Sequence, residues 1–154
     1  MKINIKKADE NTPAEVFLKL SEIDKKCVGA DGWSADSIKS EAEKNNGIVL
    51  YIELEESPIA LIFGYFAADE ADITSVAVAP GYRRRGYAEM LIGEFENQLP
   101  DITASIFLEV RESNLPAISL YQKQGFAPIS VRKNFYSEPD ENAVVMQKIL
   151  NKEG

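Results

Sequence analysis

The sequence predicts a mixed α/β (α+β) fold, with a central sheet of about seven strands and helices on both faces. Three observations carry that prediction. Hydrophobic residues make up 45% of the 154-residue chain, enough to fill one core without disulfides. Short runs rich in Ile, Val, Tyr and Phe alternate with stretches of helical periodicity. Tight turns between some strands imply antiparallel pairing, whereas the strand–helix–strand step over residues 72–110 implies a parallel crossover.

Taken in order, Ile3-Asn4-Ile5-Lys6 reads as a short first strand. Thr12-Pro13-Ala14-Glu15 opens a helix with Thr12 as N-cap and Pro13 at the first position, and Val16, Phe17, Leu20 and Ile23 form its apolar face. Gly29 to Gly32 make a loop, and Ser34 caps a second helix through Ile38 and Ala42. Strands follow over Ile48 to Leu54, Ile59 to Phe66 and Asp72 to Val78, the first two joined by the turn Glu55-Glu56-Ser57-Pro58. Ala88, Leu91, Ile92, Phe95 and Leu99 recur at the helical period until Pro100 stops them. Ile102 to Val110 is a strand, and Asn114 to Gln124 a helix with Pro116 in its first turn and Gly125 just beyond its end. Ala127 to Arg132 and Ala143 to Ile149 complete the sheet.

No repeat, linker or low-complexity tract divides the chain, so one domain is expected over residues 1–150, with a short tail at 151–154. No apolar run approaches the roughly 20 residues of a membrane span, and the charged N-terminus lacks the apolar stretch of a signal peptide. A cytoplasmic protein with no membrane partner is the expectation. The net charge of −8 disfavours direct nucleic-acid binding. Cys27 is the one cysteine and reads as a buried structural residue. There is no histidine, which removes Ser–His–Asp triads, Cys–His pairs and His-based metal sites, so no metal is expected. Acid–base work falls to Glu, Asp, Tyr, Lys or water.

The densest signal is Val76-Ala77-Val78-Ala79-Pro80-Gly81-Tyr82-Arg83-Arg84-Arg85-Gly86-Tyr87-Ala88. A strand ends at a proline, and a glycine with three arginines then opens an amphipathic helix. The first-turn N–H groups, which reach Glu89, have no helical partners and sit at the positive end of the helix dipole. Gly86 permits close backbone approach, and Arg83, Arg84 and Arg85 add positive charge, so the junction suits a pyrophosphate. Neither a P-loop nor a dinucleotide fingerprint occurs. The stretch resembles the Arg/Gln-x-x-Gly-x-Gly/Ala loop of the GNAT superfamily of N-acetyltransferases. Arg83 stands where glutamine is commoner, and Ala88 takes the place of the second glycine. The resemblance implies acetyl-CoA as acyl donor, held by Arg83 to Glu89 at its pyrophosphate. It also implies that the backbone of Val76, Ala77 and Val78 pairs with the pantetheine arm, with an N–H near Val78 aimed at the thioester carbonyl.

A second constellation lies downstream. Asn114 and Tyr121 fall seven residues apart, on one helix face. Asn114 can then hydrogen-bond the cofactor and Tyr121 stand near its thiol, or Tyr121 can be an aromatic core residue. Glu109 sits in a strand whose neighbours Leu108 and Val110 face the other way, so it is either a functional carboxylate or one paired with Arg111 or Arg132. Acyl transfer to an amine needs a base, because an α-amine with a pKa near about 8 is mostly protonated at neutral pH. Glu109 suits that task and the Tyr121 hydroxyl suits protonation of the leaving thiolate.

Leu108-Glu109-Val110-Arg111-Glu112-Ser113-Asn114, with Ala117, Leu120-Tyr121 and Gly125-Phe126, resembles the signature of the RimI-type ribosomal-protein alanine N-acetyltransferases. Arg132 to Tyr136 and Ala143 to Met146 echo the same family's hairpin. The resemblance implies direct attack of an N-terminal alanine amine of a ribosomal protein on the thioester, with Glu109 as base and Tyr121 as acid. Where that family carries Pro-Trp-Ser, this chain has Gly32-Trp33-Ser34, so Trp33 walls a peptide groove or packs in the core. Phe135 and Tyr136 contact the acceptor or simply pack across strands. Small-molecule amines, lysine side chains and a non-catalytic acyl-CoA sensor are the alternatives, and the sequence sets no oligomeric state.

Overall fold

One sheet orders the whole chain, and the alternation of each strand decides which helical layer covers it. The computed structural model describes residues 3–137 and 139–150, so the expected tail at 151–154 lies outside the described residues. The strands are β1 (Ile3–Lys7), β2 (Gly47–Leu54), β3 (Ser57–Ala67), β4 (Glu70–Val78), β5 (Ser105–Arg111), β6 (Ala127–Tyr136) and β7 (Glu141–Ile149). The helices are α1 (Ala14–Val28), α2 (Ala35–Glu43), α3 (Tyr87–Gln98) and α4 (Leu115–Lys123), with a 3-10 turn over Gly29–Asp31. Across the sheet the order is β1-β2-β3-β4-β5-β7-β6. All neighbours are antiparallel except β4 and β5, which the α3 crossover joins in parallel. The mixed α/β sheet read from the sequence is therefore the one observed.

On one face Ile48, Leu50 and Ile52 of β2, Ile62 of β3 and Leu108 of β5 pack with Leu91, Ile92 and Phe95 of α3 and with Tyr121 of α4. On the other, Val49, Tyr51, Leu61, Phe63 and Ala77 meet Phe17, Leu20 and Ile23 of α1 and Ile38 of α2. β2 is apolar on both sides because it is covered on both.

Several boundaries differ from the sequence reading, β6 running on to Tyr136 and β7 starting at Glu141 among them, and two have a local cause. Thr12 does not cap α1: its hydroxyl accepts from the Asp9 N–H at 2.9 Å, and Pro13 is the residue preceding the first helical position. That hydroxyl closes a turn instead, a competing use open to any Ser, Thr, Asn or Asp. β5 begins at Ser105 rather than Ile102, which is 69% exposed. The Thr103 N–H turns back to Pro100, and the chain first meets the sheet where the Ala104 N–H reaches the Asp69 carbonyl. Ser34 does cap α2, accepting from the Ser37 N–H at 3.1 Å.

β4 and β5 then part. Their pairing runs from Glu70↔Ser105 to Ile73↔Leu108 and goes no further. At the same level β4 bulges against β3, with Thr74 as the extra residue between the pairs Gly64↔Ile73 and Phe63↔Ser75. A bulge bends its strand, and here it carries the end of β4 away from β5 while β5 stays paired with β7 as far as Arg111↔Ala143. The opening between the two strands positions the site.

Candidate active site

The backbone at the end of β4 has groups to spare. The Ala79 N–H bonds the Ile59 carbonyl on β3, so strand alternation turns the polar groups of Val78 and Val76 toward the opening. The Val78 carbonyl there accepts from Arg83 Nε at 3.1 Å and from the Cys27 thiol at 3.4 Å. Ala77 faces the α1 layer, where it is buried. Cys27 is half-buried rather than buried, because the end of α1 leaves its sulfur at the mouth of the opening, with Arg83 Nη2 3.4 Å away.

The loop after β4 leads into α3 through Gly86, whose φ of 83° is open to glycine at little cost. Arg84 adopts φ 63°, and Arg85 lies over the Tyr82 ring at 5.6 Å. Arg83, Arg84, Arg85 and Gly86 are exposed, while Tyr87 is buried and anchors the helix start in the core. The first helical hydrogen bond runs from the Met90 N–H to the Gly86 carbonyl, which leaves the N–H groups of Tyr87, Ala88 and Glu89 without helical acceptors. No side chain caps this end. An exposed, cationic helix start beside an open strand end fits the pyrophosphate and pantetheine arm of coenzyme A.

A cavity of about 400 Å³ lies in the opening. Val76, Glu109, Asn114, Tyr121, Trp33, Phe135 and Tyr136 line it, whereas Ala77, Val78 and the stretch from Arg83 to Glu89 stand outside it. The two groups of sequence-predicted residues therefore occupy two parts of one opening, cavity and loop.

α4 positions two of the cavity groups through its ends. Asn114 caps it, its side-chain oxygen accepting from the Ala117 N–H at 3.3 Å. At the other end the Phe126 N–H reaches the Tyr121 carbonyl and the Gly125 N–H the Gln122 carbonyl, a Schellman motif with Gly125 at φ 100°. The two rings that accompany such a motif, Tyr121 and Phe126, meet edge to face with centroids 6.1 Å apart. Burial, and then the nearby Tyr136, push the Tyr121 phenol well above its ordinary range, so it keeps its proton. Tyr121 is at once a core residue and a wall of the cavity.

Glu109 projects from β5 to the face opposite Leu108 and Val110, and pairs with Arg132 of β6 at 2.6 Å. Arg111 is engaged elsewhere, pairing with Asp31 at 3.1 Å and with Glu141 at 3.2 Å. Phe135 and Tyr136 meet edge to face at 5.0 Å, each beneath a guanidinium: Arg132 over Phe135 at 4.4 Å and Arg111 over Tyr136 at 4.5 Å. Burial and the charge of Glu109 hold the Tyr136 phenol up at about 12. Trp33 fills both roles open to it, packing on Phe63 at 5.0 Å while lining the cavity.

The sequence reading missed four charged cavity residues. Asp24 is fully buried on α1, accepting from the Trp33 N–H at 2.8 Å and the Ser75 hydroxyl at 2.5 Å. Burial pushes its carboxyl up, against the pull of those two donors. Asp31, Asp72 and Arg111 complete the set. Asp24 was the legible one, since it falls on the apolar face of α1 with Phe17 and Leu20, where a carboxylate needs a reason.

Residues 14–126 match the profile of the acetyltransferase (GNAT) family. The chain belongs to this family. Membership makes it an acetyl-CoA-dependent acetyltransferase, as the two motifs predict. Among its curated relatives is the [ribosomal protein bS18]-alanine N-acetyltransferase of Haemophilus ducreyi, 39% identical over 114 residues, which cover 69% of this chain and 79% of the relative. The enzyme of the same description from Haemophilus influenzae is 38% identical over 122 residues, covering 74% and 80%. The crystal structure of the ribosomal-protein-S18-alanine N-acetyltransferase from Escherichia coli shares the fold with a TM-score of 0.82, over 99% of this chain and 97% of that one, at 24% identity.

Proposed function

We propose that this GNAT enzyme transfers an acetyl group from acetyl-CoA to the N-terminal alanine of a ribosomal protein, as one domain over residues 1–150 working in the cytoplasm. The observation that carries the reading is the parting of β4 and β5. The Glu109 carboxylate and the Tyr121 phenol line one cavity there, beside an open strand end and a cationic helix start. The relatives named for bS18-alanine acetylation support the acceptor. The aromatic rim of Trp33, Phe135 and Tyr136 suits an extended peptide. Among the described residues no helix is long and apolar enough to cross a membrane.

Acetyl-CoA supplies the acyl group as an activated thioester. Val76 and Val78 offer backbone groups to its arm, whereas those of Ala77, expected to join them, are turned to β3; the first turn of α3 with Arg83, Arg84 and Arg85 binds its phosphates. The Asn114 cap uses its side-chain oxygen, so its N–H donors remain to serve the same ligand. Glu109 takes the proton that the acceptor ammonium must lose. Tyr121, held protonated by burial, carries the proton for the departing thiolate.

Intact-mass analysis tests the reading, using an Ala-Arg-initiated ribosomal-type peptide with acetyl-CoA beside an N-blocked copy containing lysine. Acetylation of the free peptide alone is expected. Modification of the blocked copy would move the acceptor to lysine side chains, and silence on both would overturn the peptide reading.

A further inference from the structure

The acceptor cavity holds a charged group for which the chemistry above has no use. Asp24, Asp31, Asp72 and Glu109 are its carboxylates. Three are committed: Asp24 to the Trp33 N–H and the Ser75 hydroxyl, Asp31 to Arg111, and Glu109 to Arg132. Asp72 is half-buried, and among the described residues its carboxylate has neither a hydrogen bond nor an ion pair. A carboxylate removed from water without a partner costs free energy, which a fold tolerates where the group has a task.

Its place in the sheet suggests the task. Asp72 stands opposite Phe107 on β5, one residue before β4 and β5 part. Phe107 and Glu109 are two apart on one strand, so Asp72 and Glu109 share a face of the sheet across the start of the opening. We propose that Asp72 is a specificity-determining residue of the acceptor pocket, the carboxylate that receives the acceptor's ammonium before Glu109 takes its proton. This rests on the acetyl-transfer reading above. With Arg132 set against Glu109, the trio of Asp72, Glu109 and Arg132 keeps one net negative charge, which a primary ammonium neutralises and an N-blocked peptide does not.

The charged and titratable groups around Asp72 come from four elements: Tyr65 on β3, Glu109 on β5, Arg132 and Tyr136 on β6, and Asp24 and Cys27 on α1. Burial first, and the charge of Glu109 second, raise the Asp72 carboxyl to about 6, with Arg132 opposing them. Asp72 is thus an anion at neutral pH and loses its charge on mild acidification. Between about pH 5.5 and 7 a peptide α-ammonium stays almost wholly protonated, so over that range a change in acceptor binding reports the enzyme and not the peptide.

The test compares wild type with Asp72→Asn on the Ala-Arg peptide, reading kcat and KM separately from pH 5.5 to 7.5. At pH 7.5 the variant's peptide KM is expected to rise roughly tenfold, the loss of one charge-assisted contact, with kcat and the acetyl-CoA KM nearly unchanged. The wild-type peptide KM should climb as pH falls through about 6, and the variant should lose that climb. Asp72→Glu should recover part of the affinity. An unchanged peptide KM in Asp72→Asn, with an active wild type, overturns the proposal alone. Equal losses in kcat and in acetyl-CoA affinity also overturn it, by making Asp72 structural. A wild type silent toward the peptide removes the acceptor reading and the proposal together.

Discussion

In the proposed mechanism Glu109 and Tyr121 divide the proton work, and their surroundings set the division. Glu109 reaches the cavity from a strand whose neighbouring side chains are core, so its position is fixed by the burial of Leu108 and Val110. Its partner Arg132 is far more exposed, with a side chain 58% accessible against 19% for Glu109, so the pair can open toward an incoming cation. Glu109→Gln should lower kcat by about 10²- to 10⁴-fold, the usual contribution of a general base, while calorimetry finds coenzyme A affinity unchanged. Wild-type turnover in that variant would remove Glu109 from the role. Tyr121 gives a pH signature. Its proton donor is the protonated phenol, and burial raises the pKa, so the active form persists to higher pH than for a free tyrosine. The rate should therefore show no alkaline decline owed to Tyr121 below about pH 10, and Tyr121→Phe should slow turnover across the range. A decline from near neutral pH that vanishes in Tyr121→Phe would contradict this.

At the scale of elements, α4 is short, and its two ends define it. The Asn114 cap and the Schellman turn at Gly125 settle nine helical residues and, with them, the direction of Tyr121. Asn114→Ala should cost about 1 kcal/mol of stability, seen as a lower Tm, and should weaken acetyl-CoA binding. Asn114→Asp keeps the cap, so it should restore Tm without restoring binding. Recovery of both would leave Asn114 with a capping role only. β4 is the other decisive element. Its bulge at Thr74 turns a strand that begins as a sheet partner of β5 into one wall of a cleft. Gly64 sits across from that bulge because an added Cβ would collide with the Asp72 carbonyl oxygen.

Across the molecule, one arginine ties the acceptor cavity together. Arg111 on β5 bonds Asp31 after α1, the Ser137 and Pro139 carbonyls in the β6–β7 connection, and Glu141 at the start of β7. Asp31 in turn accepts from the Ser137 N–H and hydroxyl. The two segments that carry Trp33 and the Phe135–Tyr136 pair are thereby fixed to the same guanidinium. Arg111→Met keeps much of the volume and removes the bonds. It should cost about 2 kcal/mol of stability, the range of charged hydrogen bonds in a half-buried setting, and raise the peptide KM more than the acetyl-CoA KM. Denaturant melts and the two KM values check this, and equal changes in both KM values would count against it.

Periodicity and punctuation were enough to read the sheet, the helices on both faces, the parallel crossover and the cationic loop before α3. Local rules govern those features: continuous apolar, strand-forming runs in β2 and β3, the Pro80-to-Gly86 junction, the cap at Ser34. Where local chemistry offered two outcomes, the sequence reading took the wrong one, as at Thr12, read as a cap though its hydroxyl closes a turn, and Ile102, read as strand though its apolar side chain is left in solvent. The sequence by itself determined the fold class and the family, and it singled out Glu109, Tyr121 and the Arg83–Gly86 loop as candidates, because these rest on short-range patterns. Tertiary structure alone decided that β7 inserts between β5 and β6, that Arg132 rather than Arg111 meets Glu109, and that Asp72 is left without a partner beside it. Those outcomes depend on strand order and on where two strands separate, which bring together residues up to 106 positions apart, as at Asp31 and Ser137. Contacts at that separation leave no trace in local periodicity, since they are fixed only when the whole sheet closes.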